Sequence, residues 1–299
     1  MLSLSIQSAQ PISIRHKYVK IEQMTKSTFE SDTKRFAAIR HVVLDMDGTI
    51  YCGNEMFPYT LNFLRGLTER EIGYSFLTNN SSKSIDDYLK HLQKMNIPAQ
   101  REQLYTSGLS TIDFLRDAYP HQRRIFLLGT QSLRAEFERN GFTIIEIDDT
   151  DEPDLVVVGF DTSLNYQALC KAAWWISRGK LFIATHPDQT CPTNLPTILV
   201  DCGAICTCLT QATGVEPIAI PGKPNALMLI GIMKRHGLKP HEIVMVGDRL
   251  ATDIALAKNA GTMGVLVLTG ASTREDVERL GIEPDYVMES IEELGKRLA

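Results

Sequence analysis

The chain has 299 residues, 43% of them hydrophobic and 22% charged, with a formal net charge of −5. That balance describes a soluble globular protein of two domains, or of one domain with a large insertion. It excludes a membrane-spanning protein, since no apolar run approaches the roughly 20 residues a span needs, and it shows none of the dense Lys/Arg blocks of a nucleic-acid or anionic-membrane binder.

Residues 1–38 carry basic side chains (Arg15, Lys17, Lys20) and no acid before Glu22, a composition close to that of an organelle-targeting segment. The simpler reading is a disordered extension, or a start at Met24, and no function is assigned there. From residue 40 onward, short β-branched runs alternate with amphipathic stretches. HVVLD and YSFLT lead to helix patterns in IDDYLKHLQKM and STIDFLRDAY. RIFLLG, SLRAEFERNG, DLVVVGF, YQALCKAAWWISRG and LFIAT follow, and then NALMLIGIMKRHG, EIVMVGD, TDIALAKNAG, GVLVLTG and TREDVERLG. Strands of nearly continuous apolar character are buried on both faces. Several helix patterns close on Gly near a basic residue or Asn, a usual stop. This βαβ alternation predicts an α/β fold with parallel sheets and helices on both faces.

In such sheets ligands bind beyond the carboxyl ends of the strands. Four places set reactive groups there or within reach: DMDGT with Asp45 and Asp47, LTNNSSKS with Thr78 and Asn79, IPGKPN with Lys223, and VGDRLATD with Asp248 and Asp253. Ser81 or Ser82 is placed to cap the helix after the second. Singly each is a cap or a turn; as an ordered set they point to one site. Asp45, Asp248 and Asp253 gathered at a sheet edge would repel one another and call for a cation, and all-oxygen ligands with room for water and phosphate suit Mg²⁺. The Thr78 hydroxyl, a backbone N–H at Asn79 and the Lys223 ammonium are receptors for phosphate oxygens. Two aspartates at i and i+2 on an extended backbone point the same way. Asp45 is then the nucleophile and Asp47 the proton shuttle, with Gly48 allowing the turn that follows.

DMDGT, the Thr-Asn-Asn loop, the Gly-Lys-Pro lysine and GDRLATD match in order the four motifs of the haloacid dehalogenase-like (HAD) phosphatases, and the resemblance covers roughly residues 40–299. It implies a Rossmann-like core and a site in which Asp45 is nucleophile and Asp47 general acid/base with its main-chain carbonyl on Mg²⁺. Asp248 would be the remaining protein ligand and Asp253 a support. Thr78, Asn79, Asn80 and Lys223 would hold the phosphate. Only 31 positions separate Asp47 from Thr78, but 145 separate Thr78 from Lys223, room for an α/β domain. The chain thus resembles the branch with a C2-type cap, which includes NagD-like nucleotide phosphatases, phosphoglycolate phosphatases and pyridoxal phosphate phosphatases. The expected division is core at 39–117 and 218–299, with the cap at 118–217.

FIATHPD resembles the branch's Ala-Thr-Asn-Pro-Asp cap signature, with His186 where the family usually carries Asn, so His186 and Asp188 are candidate substrate contacts. The stretch at Gly203 and Ala204 is expected to allow close backbone approach. A large lid over the phosphate site favours small phosphorylated metabolites, and cap-mediated homodimers are common in the branch. Six cysteines without disulfide-scaffold density point to a reducing, cytoplasmic setting. Cys191, Cys202, Cys206 and Cys208 lack paired zinc spacing and read as small buried thiols of a cap helix. Trp174 and Trp175 read as core, and His41 as structural.

A dehalogenase needs no second aspartate at i+2, a phosphomutase usually places a helical cap between the first two motifs, and a P-loop lacks its frame here. The reading from another class is a non-catalytic metabolite-binding protein on the same fold, for which the acid/base pair has no use.

Overall fold

The computed structural model describes residues 32–148, 150–193 and 196–298. The expectation of an extension or a start at Met24 falls outside them up to residue 31. The end of the predicted extension is ordered: Asp32–Ala37 is helical, Phe36 is buried, and its ring lies 4.8 Å from that of Tyr286. The buried Phe36 ring and the ion pair of Arg35 with Asp285 at 2.5 Å seat this turn on the body.

The larger sheet has six parallel strands in the order Tyr286–Met288, Met263–Val267, Ile243–Gly247, His41–Asp45, Gly73–Thr78 and Leu104–Thr106. Four of these strands, His41–Asp45, Ile243–Gly247, Met263–Val267 and the short Leu104–Thr106, are buried at every position, which is why the longer ones do not alternate. The first strand lies in the middle, pairing with Ile243–Gly247 on one side and Gly73–Thr78 on the other. Strand order reverses there, so its carboxyl end opens onto the crevice where α/β sheets bind ligands. His41 is structural, as expected, with Nε2 2.8 Å from Ser75 Oγ.

The cap is built on a four-stranded parallel sheet in the order Thr143–Ile144, Arg124–Leu128, Leu155–Val158 and Leu181–Ala184. Its side chains divide by parity. Ile125, Leu127, Leu155, Val157 and Ile183 belong to the same apolar cluster as the larger sheet. Phe126, Leu128, Val156, Val158, Phe182 and Ala184 form a second cluster with buried residues of the helices Tyr166–Ser177 and Cys202–Thr213. Trp175 joins that cluster, but Trp174 is 46% exposed, a correction to the sequence reading. Adjacent residues on a helix diverge by about 100°, and Trp174 instead stacks under Lys171 and Arg178. The thiols divide likewise: Cys202 and Cys206 are buried in the helix, Cys208 is exposed, and Cys191 lies in a two-stranded ribbon formed by Thr190–Cys191 and Leu199–Val200. No helix among the described residues is long and apolar enough to cross a membrane.

Candidate active site

Asp45 ends the central strand and Asp248 follows the neighbouring one, so parallel pairing alone brings the two acids to one sheet edge. Asp253 arrives from the turn Leu250–Ile254 that opens the next helix. Carboxylate oxygens of Asp45, Asp248 and Asp253 all lie within 4.8 Å of one another, and all three residues are buried. Lys223 bridges two of them, its Nζ 2.5 Å from Asp45 Oδ1 and 2.7 Å from Asp253 Oδ1. Burial pushes the Asp45 carboxyl up to about 7; Lys223 opposes that shift, while Asp253 and Asp248 add to it. Burial alone would lower Lys223, but Asp253 and Asp45 hold its ammonium above the ordinary lysine value. Burial also raises Asp248, helped by Asp253 and resisted by the Ala271 N–H.

Three carboxylates against one ammonium leave two negative charges to compensate, which fits a divalent cation. Asp248 supports that fit: Oδ2 accepts a hydrogen bond from Ala271 N at 2.7 Å, whereas buried Oδ1 has no protein partner. A Cβ at Gly270 would lie 2.0 Å from Asp248 Oδ2, so the backbone there can approach the carboxylate only without a side chain. Gly48 turns at φ +86°, as the expected sharp turn requires. Asp47 stands apart from the buried cluster. The strand ends at Asp45, and Asp47 is exposed, its Oδ1 accepting from Gly53 N at 3.0 Å. Its side chain is turned toward solvent and the Tyr51–Met56 hairpin.

On the phosphate side, half-buried Thr78 ends the adjacent strand and its Oγ1 accepts from Asn80 N at 3.2 Å. The Asn79 side chain is spent on the protein: Oδ1 accepts from Lys223 N at 2.7 Å, and Nδ2 donates to Lys223 O at 3.0 Å and to Asp188 Oδ2 at 3.1 Å. Asn80 Oδ1 closes a local turn onto Ser82 N at 2.9 Å, so this side chain shapes the loop. Neither Ser81 nor Ser82 caps the following helix; Ser84 does, in a capping box with Asp87. Ser81 is instead buried and accepts from Phe160 N at 2.9 Å, tying the loop to the cap.

His186 is fully buried, with Nε2 2.9 Å from Asp201 Oδ1 and Nδ1 2.8 Å from Thr185 Oγ1. Both ring nitrogens are engaged within the protein, so the ring offers no surface to a substrate. Burial alone would lower its pKa, but the field of Cys202, Asp201 and Asp188 raises it. Gly203 does allow close approach: a Cβ there would lie 2.1 Å from Pro187 O. Asp201 and Ser107, whose Oγ lies 3.5 Å from His186 Nδ1, escaped the sequence reading. Only Asp201 carried a local signal, an acid immediately before a helix, and its side chain accepts from Cys202 N at 2.6 Å.

A haloacid dehalogenase-like hydrolase family model matches residues 42–143, and a HAD-hydrolase-like model matches 220–294. A 5'-nucleotidase, YutF of Bacillus subtilis (strain 168), is 33% identical over 251 residues, 84% of this chain and 95% of the relative. The 4-nitrophenylphosphatase of Thermotoga maritima superposes with a TM-score of 0.83 at 40% identity, covering 89% of this chain and 99% of that one. NagD from E. coli K-12 gives 0.76 at 30%, covering 85% and 97%. A glycerol phosphate phosphatase from Mycobacterium tuberculosis, solved in complex with magnesium, gives 0.79 at 28%, covering 90% and 79%. With likenesses that run through both sheets and all four strand-end motifs, the chain belongs to the haloacid dehalogenase-like hydrolases and is a phosphoric monoester hydrolase of their NagD-like branch.

Proposed function

We propose that this phosphatase hydrolyses small phosphate monoesters, of nucleotide, sugar phosphate or phosphoglycolate type, with Mg²⁺ and through an aspartyl-phosphate on Asp45. The observation that carries the reading is Lys223 Nζ between Asp45 and Asp253, beside the orphaned Oδ1 of Asp248. An Asp45 carboxylate oxygen attacks phosphorus, the bond to the ester oxygen breaks, and Asp47 gives its proton to the leaving alkoxide. Asp47 then takes a proton from water, which attacks the same phosphorus and frees inorganic phosphate and the Asp45 carboxylate. Exposure of Asp47 suits this exchange with leaving group and water, while burial of Asp45 keeps solvent from competing. Lys223, the Thr78 hydroxyl and the Asn79 N–H hold the phosphoryl oxygens. Asp45, Asp248 and the Asp47 carbonyl, with Asp253 in support, would hold Mg²⁺, which would supply positive charge against the transferring group.

The cap excludes water and bulky phosphoproteins, and its ribbon reaches the phosphate loop where Cys191 Sγ lies 3.8 Å from Asn80 Nδ2. The test is hydrolysis of an aryl phosphate with and without Mg²⁺. Chelation silences the enzyme, Asp45→Asn leaves essentially no turnover, and Asp47→Asn loses on the order of 10²–10⁴-fold. Wild-type rates in both variants would hand the protein to the metabolite-binding reading.

A further inference from the structure

Asp188 sits on the cap, just past the strand Leu181–Ala184, where a substrate contact was expected. The geometry points elsewhere: we propose that Asp188 is a positioning residue that acts on Lys223 through Asn79, so that the cap sets the phosphate site itself as well as the choice of leaving group. The inference rests on the role given to Lys223 above.

One planar amide holds both backbone polar groups of Lys223. Asn79 Oδ1 takes its N–H at 2.7 Å and Asn79 Nδ2 gives to its carbonyl at 3.0 Å. An amide can flip, exchanging its oxygen and nitrogen. The flipped form would set N–H against N–H and oxygen against oxygen at Lys223. Asp188 removes the same alternative from the other side. A carboxylate accepts and never donates, and Asp188 Oδ2 accepts from Asn79 Nδ2 at 3.1 Å. All three partners therefore require one amide orientation, and Asn79 is only 7% exposed, so water is poorly placed to substitute.

Asp188 is itself anchored. Its carbonyl accepts from Gly203 N at 2.8 Å, at the start of the Cys202–Thr213 helix. The same cap segment presses on the lysine loop directly: a Cβ on Gly222, the neighbour of Lys223, would lie 2.6 Å from His186 Cβ and from Thr185 O. The lysine backbone is thus gripped by Asn79 on one side and packed against the cap on the other, with its ammonium projecting to Asp45 and Asp253.

The test compares Asp188→Ala, Asp188→Asn, Asn79→Ala and the Asp188→Ala/Asn79→Ala double variant, in the full-length enzyme. Each is assayed on an aryl phosphate, a nucleoside monophosphate and glycerol phosphate, and for inhibition by orthovanadate, which has no leaving group. Misplacing a reacting group by an ångström costs up to about 10²-fold, so Asp188→Ala should lower kcat/KM by about 10–100-fold, equally for all three esters. Orthovanadate inhibition should weaken in parallel. Asp188→Asn, which keeps an acceptor oxygen, should recover much of the loss. The double variant should fall within about twofold of Asn79→Ala, as expected when one residue acts through the other. A loss that varies with the leaving group while orthovanadate binds normally would overturn the proposal in favour of direct substrate contact, and so would additive losses. Should Asp188→Ala fail to fold, Asp188→Leu, which is close in volume and has no acceptor, carries the same comparison with Asn79→Ala. Asp45→Asn assayed alongside checks the phosphoryl-transfer reading by itself: retained turnover there would sink that reading, whatever the Asp188 series shows.

Discussion

Among the residues of the proposed site, Gly270 shows how the lack of a side chain governs the carboxylate proposed to hold the cation. It belongs to none of the strand-end motifs, yet its Cα lies so close to Asp248 that an added Cβ would sit 2.0 Å from Oδ2. Gly270→Ala must therefore move the carboxylate whose second oxygen is left for a cation. Displacing a group that orients a ligand commonly costs about 10–100-fold in metal affinity, and a Mg²⁺ titration of activity should show a midpoint raised on that scale. An unchanged midpoint would mean that Asp248 does not hold the metal. The gathering of Asp45, Asp248, Asp253 and Lys223 was legible in the sequence because each ends or follows a strand or lies near a helix start, and parallel pairing carries such ends together. The uses of Asn79 and Asp188 were not, because a side-chain amide bonded across 144 positions to a lysine backbone leaves no local pattern.

For the elements, the first strand offers a test at the end remote from the acids. His41 is buried and its pKa is held down to about 3, by burial first and by the nearby His236 second. The unfolded chain takes up that proton near pH 6.5, while the native strand refuses it. The stability it contributes is therefore complete above about pH 6.5 and is lost as pH falls from there toward 3. Between pH 6.5 and 5 the loss should reach about 2 kcal/mol. Urea unfolding at pH 7 and pH 5 should show His41→Gln, which has no titrating ring, losing less by that amount; equal losses would show that His41 titrates normally. Sequence periodicity found the long buried strands and most helices. It passed over Leu104–Thr106 and Tyr286–Met288, since three residues carry no period, and over Thr60–Glu69, where Gly66 interrupts the helical pattern. It also placed the second motif's helix cap too early, because three serines lie within residues 81–84 and only the box with Asp87 selects Ser84.

For the whole molecule, the gap between the second and third motifs was enough to expect a cap, but not to say what lies beneath it. An apolar strand shows that both its faces are covered and is silent about the cover. Here one face of the cap sheet shares a continuous apolar cluster with the larger sheet. Such sharing couples the two sheets in one cooperative unit. Thermal unfolding should show a single transition with coincident fluorescence and circular dichroism signals, whereas two resolved transitions would mean that the cap melts by itself. The cap also reaches the lysine loop through Gly222 and Asn79.

The central claim is that phosphorus passes through Asp45, and a chemical trap tests it most directly. The enzyme is acid-quenched during turnover of an aryl phosphate with Mg²⁺, then reduced with borohydride, which converts an aspartyl-phosphate to homoserine, and the peptide holding residues 40–51 is sequenced by mass spectrometry. The account predicts homoserine at position 45 and unmodified aspartate at 47, with the product absent from Asp45→Asn. Homoserine at 47, or none anywhere during full turnover, would contradict it.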